Sequence, residues 1–310
     1  MLMSELRVPL LAMVMAAGAT ACSPASQDTN GVKTTVYNCG SLPVTAEFAQ
    51  KQLTLTIEEQ QLTFTSEPSA SGVRYFNPDH NAQFWTKGSE GQLVIDDNVY
   101  PLCTEAGTLP LQLSARGNEP FWLLQRKDSN ASLRRPSGDR DFTQVQVEYN
   151  PAEANWTLQL NADSQLIITE QVCTDTMSGM PYPYTAQLQH GGSQVSGCAG
   201  EPRQLLAGAT WHLHGTALTE APTIRFMNDG RVSGFAGCNR FFGNYQLTGE
   251  SLQLGRMAAT KMMCGAAEMA VEDELLENLA NVHGFAIEQG GLLLRHSAGT
   301  LAFVKATPPS

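Results

Sequence analysis

Apolar and polar residues alternate with a period of two along much of this chain. The clearest alternating segments, many rich in β-branched and aromatic residues, are 53–57, 62–65, 145–149, 156–160 and 252–254. Such alternation is typical of antiparallel strands that bury one face. Segment 266–282 instead has an apolar spacing of three to four, which predicts a helix. Its apolar positions are Met269, Leu275, Leu276, Leu279 and Val282. Gly284 lies where the C-terminal stop of that helix is expected.

Polar or glycine-containing breaks divide the alternating pattern into three parts. A chain of 310 residues is long enough for two or three domains. We expect a polar tether over 22–31, followed by modules at 32–104, 110–201 and 204–306. The expected fold class is mostly β. A small antiparallel β-barrel is followed by two further antiparallel β modules, the last of them α+β with one main helix.

The N-terminal 22 residues have the proportions of an export signal. Arg7 precedes an apolar run over 8–17, and small residues then lead to Cys22. The apolar run is too short for a permanent membrane span. A cysteine after small residues resembles the bacterial lipobox, which implies a signal peptide over 1–21 and a lipid anchor on Cys22. Ser23 favours the outer membrane, facing the periplasm. The alternative is an ordinary cleavage that releases a soluble periplasmic protein.

Six cysteines remain if Cys22 carries lipid, and an even number in an oxidising compartment predicts three disulfides. Sequential pairing is favoured because each pair then lies inside one patterned segment. It joins Cys39 with Cys103, Cys173 with Cys198, and Cys238 with Cys264. Metal binding is the alternative. It is disfavoured because the chain has no C-x-x-C or H-E-x-x-H motif, and His212-x-His214 fits an alternating strand. We expect neither a metal nor a cofactor.

The charge balance excludes one class of partner. Acidic residues outnumber basic residues by 30 to 19, which gives a formal net charge of −11. Nucleic-acid binding needs clustered lysine and arginine side chains, so no nucleic-acid partner is expected. The acidic balance favours a cationic partner, or serves only solubility.

Two short motifs lie between Cys39 and Cys103. They are Ser-Ala-Ser-Gly-Val-Arg-Tyr over 69–75 and Trp-Thr-Lys-Gly over 85–88. With the flanking cysteines, they resemble the membrane-bound inhibitor of C-type lysozyme (MliC) family over residues 36–103. The resemblance implies a small β-barrel, a periplasmic lipoprotein and C-type lysozyme as the protein partner. It also implies that Ser71 and Lys87 insert into the lysozyme cleft. The other motif residues expected in this contact are Gly72, Tyr75 and Gly88.

The chemistry of Ser71 and Lys87 suits this task. A lysozyme cleaves with one protonated carboxylic acid and one carboxylate. A lysine ammonium can approach the carboxylate, and a serine hydroxyl can hydrogen-bond to the acid. Both catalytic groups are then blocked without any reaction, so we expect an inhibitor and not an enzyme. The alternative is that both are ordinary exposed turn residues.

The middle segment carries motifs without a known chemistry. Residues 115–122 and 173–184 are similar to an uncharacterised family of envelope proteins, which implies no activity. Asp175 and Ser178 beside a cysteine suggest either a site or a turn held by a disulfide. The run His190-Gly-Gly-Ser193 suggests either an oxyanion loop or a hairpin turn. The hairpin is favoured because the chain has no Gly-x-Ser-x-Gly motif.

The C-terminal segment carries Gly-Cys-Asn-Arg-Phe-Phe-Gly-Asn-Tyr over 237–245 and Thr-Lys-Met-Met-Cys over 260–264. These motifs resemble the META domain of heat-inducible, HslJ-like lipoproteins over about a hundred residues. The resemblance implies an antiparallel sheet wrapped on a helix. Asn239 and Thr260 are candidates for lining a ligand groove. Alternatively, they form a structural turn and a strand residue bonded to it.

The sequence thus leads to one main hypothesis and two alternatives. The main one is an outer-membrane lipoprotein that inhibits C-type lysozyme through its first module, with two accessory envelope-stress modules. The second is a non-inhibitory envelope-stress or drug-tolerance lipoprotein that acts through the META domain. The third is a hydrolase, which is disfavoured because no set of nucleophile, base and orienting group is evident.

Overall fold

The computed structural model describes residues 31–305, and these form three successive antiparallel β units with two helices. The fold class predicted from the hydrophobic pattern is therefore confirmed. The signal peptide over 1–21, the lipid anchor on Cys22 and most of the tether over 22–31 lie outside the described residues. Among the helices of residues 31–305, none is long and apolar enough to cross a membrane.

The first unit is a closed barrel. Its strands are β1 (Val32–Cys39), β2 (Leu42–Ala49), β3 (Gln52–Ile57), β4 (Gln60–Glu67), β5 (Val73–Asn77), β6 (Ala82–Lys87), β7 (Glu90–Ile95), β8 (Asn98–Val99) and β9 (Cys103–Glu105). Successive strands pair from β1 to β7, and β9 pairs with both β7 and β1, which closes a ring of eight. Alternate residues such as Leu53, Leu55 and Ile57 point into its core.

The antiparallel order of the strands gives the barrel two distinct ends. One end carries the turns at 50–51, 68–72 and 88–89, and we call it the loop end. The opposite end carries the turns at 40–41 and 58–59 together with segment 96–102, and we call it the docked end. The chain leaves the barrel after β9 on the loop-end side, where the N–H of Leu111 donates to Glu90 Oε1 at 2.7 Å.

The middle unit is an open nine-stranded sheet with a small two-stranded ribbon. Its strands are β10 (Gln112–Asn118), β11 (Phe121–Lys127), β12 (Asn130–Arg134), β13 (Arg140–Phe142), β14 (Gln146–Asn150), β15 (Asn155–Asn161), β16 (Ser164–Thr169), β17 (Cys173–Thr174), β18 (Pro181–Tyr182), β19 (Tyr184–His190) and β20 (Ser193–Ala199). The sheet order is β13-β12-β11-β10-β20-β19-β16-β15-β14, and β17 pairs with β18. Gly191 and Gly192, with φ of 58° and 78°, form the two-residue turn of the β19–β20 hairpin, which confirms the hairpin prediction.

The third unit wraps a sheet on one main helix. Its elements are α1 (Arg203–Leu206), β21 (Thr210–Leu213), β22 (Thr223–Phe226), β23 (Arg231–Phe235), β24 (Arg240–Leu247), β25 (Leu252–Leu254), β26 (Ala258–Ala259), α2 (Ala266–Ala280), β27 (Val282–Glu288), β28 (Gly291–His296) and β29 (Gly299–Lys305). The sheet order is β25-β24-β23-β22-β21-β29-β28-β27, and β26 pairs with β24. Leu275 and Leu279 of α2 are buried in the core with Trp211 and Phe285.

The end of helix α2 differs from the prediction. The helix ends at Ala280, and Asn281 caps it. Strand β27 then begins at once, so Val282 is buried as a strand residue and not as the last turn of a helix. Gly284 is therefore wrong as a helix stop, since it lies inside β27 next to a register irregularity. A strand that must return directly to the sheet leaves no room for a glycine-capped loop.

The three disulfides pair the cysteines sequentially, as predicted. They join Cys39 with Cys103, Cys173 with Cys198, and Cys238 with Cys264. Cys39 and Cys103 lie directly opposite each other in β1 and β9. Since β9 has only three residues, this disulfide reinforces the seam where the barrel closes.

The docked end of the barrel packs against the third unit through buried polar contacts. Ser41 Oγ donates to Ala207 O at 2.9 Å and accepts from the N–H of Ala209 at 3.0 Å. Glu58 accepts from Arg225 Nη2 at 3.0 Å, and both side chains are about a quarter exposed. The loop end takes no part in these contacts, so its turns stay free of the third unit.

Each unit contains a tyrosine whose strongly raised pKa makes stability depend on alkaline pH. Burial is the main effect that raises the pKa of Tyr37, Tyr184 and Tyr245 from the ordinary value of 10.0 to about 12. The unfolded chain therefore releases these protons at a pH where the folded protein still holds them. The free energy of unfolding should be unaffected below about pH 10 and fall steadily between about pH 10 and 12.

Urea unfolding at a series of alkaline pH values checks this expectation. Tyr37→Phe should make the decline shallower, because that phenol no longer titrates. Tyr149→Phe, which removes a hydroxyl from a 41% exposed side chain, is the matched control. Equal pH slopes for the two variants would contradict the assignment to Tyr37.

Candidate functional site at the loop end of the barrel

The structure brings the two inhibitor-like motifs together at the loop end. Strands β5 and β6 pair antiparallel, with Val73 opposite Thr86. Continuing this register places Gly72 and Ser71 alongside Lys87 and Gly88. The two motifs, separate in the sequence, thus become two neighbouring turns, and Ser71 and Lys87 are both exposed.

The turn that carries Ser71 is held in one conformation. Gly72 has φ of +68°, and a Cβ there would lie 2.1 Å from Thr86 O, so no other residue fits. The indole Nε1 of Trp85 donates to Ser71 O at 2.8 Å. Ser69 Oγ donates to the same oxygen at 2.8 Å. With its carbonyl bound twice, the backbone of Ser71 is held in place and its exposed hydroxyl projects from a preformed turn.

Lys87 occupies the end of β6, opposite Glu90 at the start of β7. Gly88 and Ser89 form the two-residue turn between these strands, and Gly88 has φ of +63°. Among residues 31–305, Lys87 has no ion-pair partner within 4.0 Å. An exposed and unpaired ammonium in a chain of net charge −11 is available to a carboxylate from outside.

Tyr75 does not join the exposed motif residues. Its side chain is 7% exposed and packs against Phe48 inside the barrel, with 5.8 Å between ring centroids. Burial raises its pKa above the ordinary value of 10.0. The structure thus corrects the expected contact set, because Tyr75 can only support the loop from within.

The second candidate pair, Asn239 and Thr260, also comes together. Asn239 Oδ1 accepts from Thr260 Oγ1 at 2.8 Å and from the N–H of Met262 at 2.7 Å. Its Nδ2 donates to Met262 O at 3.2 Å and to Glu272 Oε1 at 3.0 Å. Asn239 is 2% exposed, so its amide is fully used inside the protein. This arrangement agrees with the structural turn and does not form an open groove.

Comparison with known families agrees with both groups of motifs. Residues 37–101 match the family model described as membrane-bound lysozyme-inhibitor of c-type lysozyme. Residues 186–308 match the META domain. The predicted MliC and META resemblances are confirmed, and the resemblance of the middle segment to an envelope-protein family stays a prediction. Neither family is enzymatic, and the MliC match indicates a place in the cell envelope.

Two solved structures are similar to part of the chain. An NMR structure of a protein from Burkholderia xenovorans is 27% identical and covers 34% of this chain and 86% of that chain, with a TM-score of 0.30. A crystal structure of a DUF4847 family protein from Bacteroides vulgatus ATCC 8482 is 16% identical and covers 36% of this chain and 100% of that chain, with a TM-score of 0.27. No curated protein matches the chain significantly.

The candidate residues of the middle unit have structural roles. Asp175 Oδ1 accepts from the N–H and the Oγ of Ser178, at 2.8 and 2.9 Å. Burial alone would raise the pKa of Asp175, but these bonds and one from Asn118 outweigh it and lower the pKa below 3.8. A carboxylate held ionised by its own turn is poorly suited to act as a general base.

His190 of the middle unit is also unsuited to activate a nucleophile. Its Nε2 lies 2.9 Å from Arg135 Nη2, which can only donate. The proton of the neutral ring is therefore on Nδ1, which lies 2.7 Å from Ser164 Oγ. Burial, followed by Arg135 and Arg140, lowers the pKa of His190 and favours this neutral form. His190 thus donates to Ser164 and does not take its proton.

Trp85 is a candidate site residue that reasoning from the sequence missed. It stands inside the second motif, but only the register of β5 and β6 brings its indole to Ser71. Trp85→Phe keeps the aromatic ring and removes the hydrogen bond to Ser71 O. We expect inhibition of a C-type lysozyme to weaken by about 0.5–1.5 kcal/mol, because the Ser71 turn is no longer held. The inhibition constant, measured beside urea unfolding, checks this.

The free energy of unfolding of Trp85→Phe should change little, since the indole is 37% exposed. An unchanged inhibition constant in a folded variant would show that the Ser71 turn needs no anchor.

Proposed function

We propose that this chain inhibits C-type lysozyme by inserting the Ser71 and Lys87 turns into the active-site cleft. The observation that carries the proposal is the juxtaposition of these turns at the loop end. Both side chains are exposed there, on rigid hairpin ends. The third unit contacts the opposite end of the barrel and leaves the Ser71 and Lys87 side chains exposed.

The chemistry of the two side chains fits the target. The lysozyme cleft contains one carboxylic acid and one carboxylate. Lys87, which has no ion-pair partner among the described residues, supplies a charge for the carboxylate. Ser71 supplies a hydroxyl that can hydrogen-bond to the acid. The fixed backbone of the Ser71 turn reduces the entropy that binding would otherwise cost.

The overall charge also supports this partner. Lysozymes of this type are strongly basic, and this chain has a net charge of −11. Opposite net charges raise the rate of encounter, and the positive Lys87 then selects the acidic cleft within a basic surface. Inhibition should therefore form faster at low ionic strength than at high ionic strength.

The location and the module arrangement belong to the same proposal. We infer a signal peptide over 1–21, lipid on Cys22 and an outer-membrane position facing the periplasm. The proposed modules are 32–104, 110–201 and 204–306. A lipid anchor would keep the loop end near the peptidoglycan that an incoming lysozyme attacks.

One assay tests the proposed function. Residues 23–310 contain everything that the structure describes and lack the lipidation site, so they can be purified as a water-soluble protein. At about stoichiometric ratios they should block lysis of bacterial cells by a C-type lysozyme. A folded, oxidised protein that leaves lysis unchanged would refute inhibition. That result would favour a stress lipoprotein that acts through its META domain.

A further inference from the structure

The META domain presents an exposed apolar cluster that the lysozyme proposal does not use. Met263 is 94% exposed, Phe242 is 59% exposed and Met262 is 58% exposed. Large side chains with this exposure usually mark an interaction surface when they are grouped. We call these three residues, together with Arg240, Arg256 and Lys261, the Phe–Met face.

The pairing of the strands brings the segments that carry these residues next to each other. Phe242 of β24 lies opposite Ala258 of β26, and the N–H of Thr260 donates to Arg240 O at 3.0 Å. Segment 258–262 therefore runs antiparallel beside 238–242. Arg240 and Phe242 are two residues apart on one strand, about 7 Å, and share its outer side. Met262 and Met263 follow at the end of the neighbouring segment.

Buried groups and a disulfide fix the conformation of the loop that carries Met262 and Met263. Asn239 binds both the N–H and the carbonyl of Met262, and its own N–H donates to Glu272 Oε2 at 2.7 Å. The disulfide between Cys238 and Cys264 closes the same loop. The main motif residues of the domain thus hold the backbone and leave the methionine side chains outside. A preformed loop loses little conformational entropy when it inserts into a partner.

The charge of the Phe–Met face is opposite to that of the whole chain. Arg240, Arg256 and Lys261 are exposed, and none has an ion-pair partner among residues 31–305. Two acidic side chains of helix α2 near the Met262–Met263 loop are held by contacts within the domain. Glu272 is buried against Asn239, and the carboxylate of Glu268 folds back beside Gly265.

We propose that the Phe–Met face binds the surface of an anionic lipid bilayer. Apolar side chains flanked by lysine and arginine are the composition that enters the interface of such membranes. Methionine and phenylalanine would enter the boundary between headgroups and acyl chains, while the three cations pair with lipid phosphates. A basic partner such as lysozyme would be repelled by this face. The face lies on the third unit and the Ser71 and Lys87 turns lie on the barrel, so the two proposals use different residues.

Vesicle sedimentation tests this proposal with residues 23–310, in which no acyl chain can contribute. The protein should sediment with vesicles of phosphatidylethanolamine and phosphatidylglycerol, and much less with vesicles of phosphatidylcholine alone. The double change Met262→Ser with Met263→Ser should reduce binding at least about tenfold. Lys261→Gln should reduce it about fivefold, and added salt should weaken the binding of the unchanged protein.

Met177→Ser is the matched control, because Met177 is 78% exposed but lies on the middle unit. It should bind vesicles like the unchanged protein. Equal binding to both vesicle types, or an equal loss in Met177→Ser, would overturn the proposal. Self-association without lipid that the double change abolishes would also overturn it, by assigning the face to a second copy. Lysozyme inhibition should be unaffected in every variant, so the two proposals fail independently.

Discussion

Replacing Lys87 with alanine is expected to weaken inhibition of a C-type lysozyme by about 2–5 kcal/mol, or from about thirty-fold to several thousand-fold. The ammonium of Lys87 is the only charge that the two turns offer to the cleft, and the complex removes it from water. Truncation leaves the lysozyme carboxylate buried without a partner, which is the main source of the large cost.

Lys51→Ala is the matched control for this prediction. Lys51 lies in the β2–β3 turn, so it is exposed at the same end of the barrel and carries the same charge. Its removal should change the inhibition constant by no more than the small effect of a peripheral charge. The inhibition constants of both variants and their far-UV circular dichroism spectra are the measurements. Equal losses of inhibition in the two variants would show that Lys87 is not the residue that enters the cleft.

Removing the barrel disulfide is the change expected to cost the most stability. The double substitution Cys39→Ala with Cys103→Ala opens a loop with a sequence separation of 64 residues. The chain-entropy relation gives a loss of about 4 kcal/mol for a loop of this length. The disulfide also matters in the folded state, because β9 pairs with β1 over only three residues. Without the covalent bond, the seam of the barrel depends on this short ladder.

Urea unfolding of the oxidised protein and of the double variant measures this loss. The matched comparison is Cys173→Ala with Cys198→Ala, which opens a separation of 25 residues and should cost about 3.5 kcal/mol. Inhibition should fall with the barrel variant and persist in the other one. A barrel variant within about 1 kcal/mol of the parent would mean that the ladder and core close the ring by themselves.

The hydrophobic pattern predicted much of the fold because strand periodicity is a local property. Alternation at 53–57 and 156–160 corresponds to β3 and β15, with alternate residues buried. The helix over 266–282 was found within two residues of its end. The prediction placed the end of the helix at Gly284, which is wrong because Val282 already belongs to strand β27. The pairing of that strand depends on distant residues, so the local sequence pattern does not predict it.

The motifs predicted the candidate site only in part. Ser71, Gly72, Lys87 and Gly88 meet at the loop end as the family resemblance implies. Tyr75 stands in the same motif, yet its position on β5 turns it into the core. A motif records which residues occur together, whereas the pleat of the strand decides which of them face solvent.

The amino-acid sequence by itself determined the mostly β fold, the sequential cysteine pairs, the acidic charge and the two family resemblances. These follow from residue type and spacing along the chain. Only the tertiary structure decided that the Ser71 and Lys87 turns share the end of the barrel opposite the META domain. It alone showed that Trp85 anchors Ser71 and that Asn239 holds the exposed methionines of the Phe–Met face. The physical reason is that register and closure bring together residues far apart in the chain, and no local pattern encodes those distances.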